Sequence, residues 1–423
     1  MKYFIHTTGC KANQWDSYVI ANKLLEGGLA PGALNEADIV IINACTLTGG
    51  AERDIRRFMN RCRVENERAK IVLAGCHAQV YPDSTFGADI VLGQAEKFSI
   101  GEYLGKNGLF LGADTDFSLE QSPVDSLPRG RTRFFFKIQD GCDKWCSYCV
   151  VPTARGKPRS RPLREILDTL QRLKEKGVRE TVLTGIEIAS YKDPESGMDL
   201  KDLLRLLDRK ETPERIRISS IDPLYFDQEF LDIIAGSRKI ARSFHIPLQS
   251  GSDRILEKMG RRYSGEYIKG TVEKIKNKMP EAGIGMDVIA GFPGETEEAF
   301  EETHRLLESI DIYYLHVFPY SARRGTSSSA MKNSVAESVK KERVRKLKKL
   351  DARMRFAFYE RFLGSCLSII PEGKLYRGRY MKGFSGNYIP VCIPYQKSLE
   401  NKLVKVKING IEDGLVLGEV SNG

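Results

Sequence analysis

The 423-residue chain contains no run approaching the ~18 apolar residues of a membrane-spanning helix. Its first residues, MKYFIHTTGCKANQW, hold no long apolar core leading to a small-residue cleavage site, so no secretory leader is expected. These absences predict a cytoplasmic protein with no membrane partner, in a reducing compartment where cysteines serve as thiols or metal ligands rather than disulfides. The turn Gly291-Phe292-Pro293-Gly294-Glu295-Thr296 lacks the Gly-Lys-Ser/Thr ending of a phosphate loop and reads instead as a helix start. With 41% hydrophobic and 29% charged residues, nothing points to disorder. The last absence is a fourth cysteine: the stretch 141–161, GCDKWCSYCVVPTARGKPRSR, has Cys142, Cys146 and Cys149 and no other.

Three thiolates in one tight loop suit an iron-sulfur cluster or zinc. A structural zinc or a passive cluster is normally closed by four protein ligands, so three leave a position open for something that reacts. A second triplet is spread along the chain. Residues 2–7, 38–43, 69–75 and 89–93 read as strands and 14–26 and 49–68 as helices, which predicts a parallel sheet. Cys10, Cys45 and Cys76 each follow one of the first three strands, beside Gly9, Asn43 and Gly75. A single cysteine after a buried strand is usually just buried, but ligands gather at the carboxyl ends of such strands, so three equivalent positions leave two readings, buried residues or a second three-cysteine site. Cys62, Cys366 and Cys392 belong to no motif and read as small apolar residues.

Residues 94–132 read as a linker. Beyond them a strand-helix rhythm resumes, with strands at 133–139, 181–185, 215–221, 243–248, 285–290 and 313–318 and helices at 163–175, 200–209, 227–235, 264–278 and 295–309. Six such units predict a barrel or partial barrel whose active site lies at the strands' carboxyl ends, where the Cys142 loop falls. Glu187, after the second strand, is either a partner for an ammonium group or an exposed loop acid. Gln249 and Ser250, after the fourth, suit a ribose or carboxylate, Asp287 marks the fifth, and His245 reads as a core histidine.

The net charge of +10 and pI near 9.0 favour an anionic partner such as nucleic acid. Arg155, Lys157, Arg159 and Arg161 form a dense run that would hold a phosphate backbone or else be a solvated loop. Residues 340–362 read as a basic helix with Val344, Leu347, Leu350 and Met354 on one packed face. Residues 364–423 read as a small β barrel with strands at 367–371, 388–393, 402–408 and 415–419. There Phe384, Asn387, Tyr388, Lys405 and Lys407 are candidate RNA contacts, with barrel core as the alternative for Tyr388.

The spacing Cys-x3-Cys-x2-Cys with Tyr148 before the last cysteine resembles the signature of radical S-adenosylmethionine enzymes. TTGCKANQWDS, NACT and AGCHAQ resemble the N-terminal domain of the methylthiotransferases within that superfamily, and the C-terminal module resembles a TRAM domain. The resemblance implies an α/β protein: an N-terminal parallel sheet domain over 1–110, a partial (β/α)6 radical barrel over 128–362 and a TRAM barrel over 363–423. It implies two 4Fe-4S clusters, one on Cys142, Cys146 and Cys149, the other on Cys10, Cys45 and Cys76. S-adenosylmethionine would bind the first cluster near Tyr148, Glu187, Gln249 and Ser250, where one electron cleaves it to a radical that abstracts hydrogen. The second cluster would carry the sulfur that is methylated and transferred. A tRNA would be held through Arg155, Lys157, Tyr388 and Lys405, and an electron-donor protein would supply the electrons. GCKAN, LHVFPYS and GNYIPV resemble the branch acting on threonylcarbamoyladenosine beside the anticodon. Branches acting on isopentenyladenosine or on a ribosomal-protein aspartate are the alternatives. Ala44, Trp15 and Lys192 depart from the family's usual residues. A non-enzymatic iron-sulfur protein would need a fourth ligand from elsewhere in the chain.

Overall fold

In the computed structural model, residues 1–46, 49–112, 119–120, 124 and 132–421 are described. The N-terminal part is a six-stranded, all-parallel sheet in the order β2-β1-β3-β4-β5-β6. Its strands are β1 (Lys2–Thr7), β2 (Ala30–Pro31), β3 (Ile39–Asn43), β4 (Lys70–Ala74), β5 (Ile90–Leu92) and β6 (Gly108–Phe110). Both faces are covered, as a parallel sheet requires. Alternation along β3 sends Ile39 and Ile41 into a core with Trp15, Tyr18 and Val19 of α1 (Lys11–Glu26). Val40 and Ile42 meet Ile55, Phe58 and Met59 of α2 (Gly49–Glu65) on the other side. The four expected strands are present, and two edge strands join them. The edge pair β2 and β6 are two and three residues long, too short for periodicity to mark. Part of the expected linker is therefore sheet, a 3-10 helix covers Glu96–Glu102, and residues 113–118, 121–123 and 125–131 lie outside the described residues.

The middle of the chain carries six parallel strands in sequential order: β7 (Arg133–Lys137), β10 (Glu180–Thr184), β11 (Arg215–Ile218), β12 (Ser243–Gln249), β13 (Gly283–Ala290) and β14 (Tyr314–Pro319). They form two three-stranded sheets, joined where Ile221 N donates to His245 O at 3.0 Å. A short ribbon of β8 (Gln139–Asp140) and β9 (Arg159–Ser160) brackets the Cys142 loop and the short helices α3 (Cys76–Val80) and α4 (Val151–Arg155) meet beneath it. The outer helices α5 (Leu163–Glu175), α6 (Leu200–Leu207), α7 (Gln228–Gly236), α9 (Gly265–Lys278) and α10 (Glu297–Ser309) start within two residues of where they are expected, and a short helix, α8 (Asp253–Lys258), is not among those expected. Asp199, Asp227, Ser264 and Thr296 cap four of them by accepting backbone N–H bonds. The basic helix α11 (Glu337–Glu360) buries Leu347 and Leu350 in the main core. No helix among the described residues is long and apolar enough to cross a membrane.

A closed five-stranded barrel ends the chain, in the order β15-β16-β17-β19-β18. Its strands are β15 (Cys366–Pro371), β16 (Tyr380–Ser385), β17 (Pro390–Pro394), β18 (Val404–Glu412) and β19 (Leu415–Val420). The unexpected member is β16, whose pattern is broken by Gly383. A Cβ there would lie 2.9 Å from the Ile370 backbone, so glycine is what lets β15 and β16 pair closely. The barrel docks on the amino ends of the central strands. Arg215 donates to Phe384 O and Ser368 O at 2.7 and 2.8 Å, Arg217 donates to Gly386 O at 3.0 Å, and both rest on the buried Glu180 carboxylate.

The N-terminal sheet is fixed to the central barrel by a buried ionic network. Asp16 on α1 accepts from Lys97, Lys137 and Arg155 at 2.7, 2.6 and 2.9 Å. Asp140 accepts from Lys137 at 2.6 Å and from Arg155 at 3.0 Å, and pairs with Arg159 at 3.3 Å. Despite burial, these cations hold both carboxyls below the usual carboxylate range. Removing one carboxylate would strand cations in the interior. Asp16→Ala is therefore expected to cost about 3–5 kcal/mol, read from urea unfolding followed by fluorescence of Trp15, which packs on Phe134 and Phe136 at this interface. An unchanged midpoint would show that the network does not join the two sheets.

Candidate active site

Thr7, Asn43 and Ala74 are register partners on three neighbouring strands, and Cys10, Cys45 and Cys76 follow them by three, two and two residues. Sheet geometry therefore delivers the three thiols to one edge. The edge is tightly built: Cys45 N donates to Thr8 Oγ1 at 2.9 Å, Ala44 N to Ala74 O at 2.7 Å, and Asn43 Nδ2 to Asn13 O at 2.8 Å. Gly9 has φ +94°, and a Cβ there would sit 2.4 Å from Cys45 Cβ and 2.6 Å from its Sγ. Gln94 Nε2 donates to Cys76 Sγ at 2.9 Å.

The second triplet lies on the loop after β8. Gly141 (φ +75°) admits no side chain, because a Cβ would meet Lys157 O at 2.0 Å. The loop is pinned by Cys142 N to Gly156 O at 3.1 Å, Ser147 N to Met259 O at 3.0 Å and Ser328 N to Ser147 O at 2.8 Å. Arg261 Nη1 reaches Cys146 Sγ at 3.3 Å. Burial pushes the Cys149 thiol up to about 12, so a metal is what would displace its proton at neutral pH.

The donor sets fit clusters and not single ions. Tetrahedral thiolates around one zinc stand about 3.8 Å apart, given Zn–S near ~2.3 Å. Among the described residues, the His/Cys/Asp/Glu group that has its ligand atoms within 4.8 Å of one another is His245, Asp287 and His316, and neither cysteine triplet is that compact. Zinc, left open by the cysteine spacing, is disfavoured on this ground.

Both triplets face one cavity of about 870 Å³, which Cys10, Cys45, Cys142, Cys146 and Cys149 line; Cys76 stands behind them, buried. The cavity continues down the lumen of the central barrel, where alternate residues of each strand point inward. Glu187 is there, its carboxyl raised by burial and opposed by Lys144 at 2.7 Å. Gln249 lines it in a left-handed conformation (φ +68°) that a non-glycine residue seldom adopts. Tyr148 lines it half-buried against Met259 and Phe292.

Sequence reasoning marks Asp287 but takes His245 for a core histidine and passes over His316; together they form the lumen's polar centre. His245 Nε2 lies 2.8 Å and His316 Nδ1 3.3 Å from Asp287 Oδ1, and His245 Nδ1 is 2.8 Å from the Tyr314 hydroxyl. Burial opposes ionisation of Asp287, yet the two histidine hydrogen bonds hold its carboxyl well below the usual range. This group has the spacing to hold a metal ion. Asp287 and His316 are direct cross-strand neighbours, a relation only the register reveals. Trp145, 67% exposed at φ +47° between the lining residues Lys144 and Cys146, was also missed.

Five expectations are corrected. Arg155 is 1% exposed and committed to Asp16 and Asp140, so it is no RNA contact. Arg161 of the same run is buried over the Trp15 ring, leaving Lys157 exposed. Ser250 is fully buried, bonded to Thr303, and does not line the cavity. Tyr388 lies in a turn before β17 with φ +72° and closes the lumen floor, its hydroxyl accepting from Arg133 at 3.3 Å. Asn387 is likewise buried. Lys405 and Lys407 are exposed on β18, and Lys192 is exposed away from the cavity.

Residues 136–307 match the family described as the radical SAM superfamily, and residues 2–93 match that described as uncharacterized protein family UPF0004. The threonylcarbamoyladenosine tRNA methylthiotransferase MtaB of Aquifex aeolicus is 39% identical over 96% of this chain and 100% of its own. The Bacillus subtilis protein of the same name is 34% identical over 95% and 92%. A tRNA-2-methylthio-N(6)-dimethylallyladenosine synthase from Protochlamydia amoebophila is 31% identical over 99% and 96%. Among solved structures, the radical S-adenosylmethionine methyltransferase TsrM from Kitasatospora setae aligns with TM-score 0.54 and 16% identity over 78% of this chain and 77% of its own, a likeness of fold.

The crowding at Gly9 yields a test. Gly9→Ala should lower bound iron to the level of Cys10→Ala, because the added methyl displaces Cys45. Full iron content in Gly9→Ala would contradict the geometry of this edge.

Proposed function

This chain belongs to the radical S-adenosylmethionine methylthiotransferases, and on that premise we propose how its residues divide the work. It is a tRNA methylthiotransferase that converts threonylcarbamoyladenosine beside the anticodon to its 2-methylthio derivative, with S-adenosylmethionine and two 4Fe-4S clusters as cofactors. The observation that carries this reading is that five of the six cysteines of the two triplets line one cavity, with Cys76 buried behind them. When bound, the cofactors supply the one-electron chemistry and the methylthio group inserted at an unactivated C–H bond.

Cys142, Cys146 and Cys149 hold the cluster that engages S-adenosylmethionine, and Cys10, Cys45 and Cys76 hold the cluster from which sulfur is transferred. Glu187 binds the amino group of S-adenosylmethionine, a role supported by its place on the cavity wall and by its existing ammonium partner, Lys144. Gln249 and Tyr148 orient the nucleoside end of the cofactor from either side. Lys157 and the Lys405 side of β18 take tRNA phosphates, and Trp145 offers an exposed ring on which a base can stack. The lumen is closed at its floor by Tyr388, which limits the access of water to the reacting atoms from that end. Electrons come from an external donor protein, and the enzyme works in the cytoplasm.

Anaerobically reconstituted enzyme given S-adenosylmethionine, a reductant and tRNA bearing threonylcarbamoyladenosine should add a methylthio mass increment to that nucleoside. Cys142→Ala should abolish both the increment and 5′-deoxyadenosine, whereas Cys10→Ala should abolish the increment and still form 5′-deoxyadenosine. An increment made by Cys10→Ala would refute the division of roles, and an increment on isopentenyladenosine alone would move the substrate to that branch.

A further inference from the structure

Five lysine and arginine side chains line the shared cavity: Lys11, Arg133, Lys144, Arg217 and Arg261. Four of them are engaged. Lys144 is held by Glu187 and Asp222 at 2.7 and 2.6 Å. Arg261 is held by Tyr263 at 2.7 Å, Cys146 at 3.3 Å and Asp222 at 3.5 Å. Arg217 spends its fork on Glu180 at 2.8 Å, Ser243 at 2.8 Å and the barrel carbonyls of Ser385 and Gly386. Arg133 bonds Tyr388 at 3.3 Å and Glu372 at 3.1 Å and stacks its guanidinium 4.2 Å over Phe384. Among the described residues, Lys11 Nζ has neither a hydrogen bond nor an ion pair.

Lys11 is the first residue of α1, directly after Cys10, and is half-buried in the cavity wall. Lys11 lines the same cavity as Tyr388, Arg133, Asp287 and Arg217, the polar groups around the lumen floor. Asp287 is already occupied by His245 and His316. An ammonium drawn out of water without a partner is costly, and the site is completed by whatever anion enters. Arg133 and Arg217 raise the positive potential of the floor while offering it few spare donors. The floor itself is rigid: Tyr313 donates to Tyr388 O at 3.0 Å, and the Arg217 guanidinium lies 5.0 Å from the Tyr388 ring.

The substituent on N6 of threonylcarbamoyladenosine ends in a free carboxylate; an isopentenyl group is wholly apolar and would leave Lys11 unpaired. We propose that Lys11 binds the carboxylate of the threonylcarbamoyl group at the lumen floor, and so selects this nucleoside over one with an apolar substituent. The inference rests on the substrate reading above. Charged recognition of this kind discriminates strongly, because a substrate lacking the anion leaves a buried cation unsatisfied.

The test uses full-length reconstituted enzyme and two tRNAs, one with the natural carboxylate and one with the same group converted to its primary amide. Wild type should prefer the carboxylate in kcat/KM by about 10- to 100-fold, the span expected for a charge-assisted hydrogen bond. Lys11→Met should lower kcat/KM on the carboxylate by the same factor and turn over the two tRNAs about equally, and Lys11→Arg should keep the preference. Iron content and the cluster electron paramagnetic resonance signal should match wild type in both variants. Equal use of the two tRNAs by wild type, or a carboxylate preference retained by Lys11→Met, would overturn the inference while leaving the substrate reading intact. Loss of iron in Lys11→Met would assign the side chain to the neighbouring cluster instead and also overturn it. Failure of wild type on both tRNAs, with 5′-deoxyadenosine still formed, would sink the substrate reading and this inference with it.

Discussion

A continuous buried polar chain links the two halves of the active site. Gln94 donates to Cys76 and accepts from Lys97, Lys97 donates to Asp16, and Asp16 meets Lys137 and Arg155 from the central barrel. Both of those cations then meet Asp140, which accepts from Gly141 N at 2.9 Å, one residue before Cys142. Every group is inside the protein, where an unpaired charge is strongly disfavoured, so the two sheets have one low-energy way to meet. The separation of the cysteine triplets is set by this contact more than by any loop. Glu52 and Asp83 add outer contacts: Arg323 donates to Glu52 at 2.7 Å and Arg324 to Asp83 at 2.6 Å, which ties the N-terminal part to the turn after β14.

The central barrel contributes a polar lumen, which most barrels of this size fill with apolar side chains. Period-two alternation puts His245, Asp287, Tyr314 and His316 inside, and nearly every donor among them is matched by an acceptor. The C-terminal barrel then closes the amino end, its carbonyls satisfying Arg215 and Arg217. That docking makes the lumen a blind pocket open toward the two triplets. The barrel thus serves the site from below through Tyr388 while its exposed Lys405 and Lys407 face outward.

The two triplets were legible because cysteine placement after strands, or in one tight loop, is a local property of the sequence. The strands carrying them were legible for the same reason: IVIIN and KIVLA are buried on both faces and read as continuous apolar runs. What could not be read is pairing between distant segments. Arg155 looks like the start of a solvated basic run, and only the approach of Asp16, 139 residues away, makes it internal. Tyr388 alternates as a strand residue would, but the turn at its φ of +72° lifts it out of the barrel and into the lumen. Ser250 and Gln249 are adjacent in sequence, and the alternation that puts Ser243, His245, Pro247 and Gln249 on the cavity sends Ser250 into the core. Lys11, part of a motif noted for its cysteine, shows its character only once every other cation around the cavity is seen to be paired.

The central claim, that both triplets serve one cavity and that each leaves its cluster one position free of protein, is tested most directly by a crystal structure of the anaerobically reconstituted protein with S-adenosylmethionine. The account predicts a four-iron cluster on each triplet, with the iron that lacks a cysteine facing the shared lumen at both. A fourth protein ligand on either cluster, or two clusters opening on separate faces of the molecule, would contradict it.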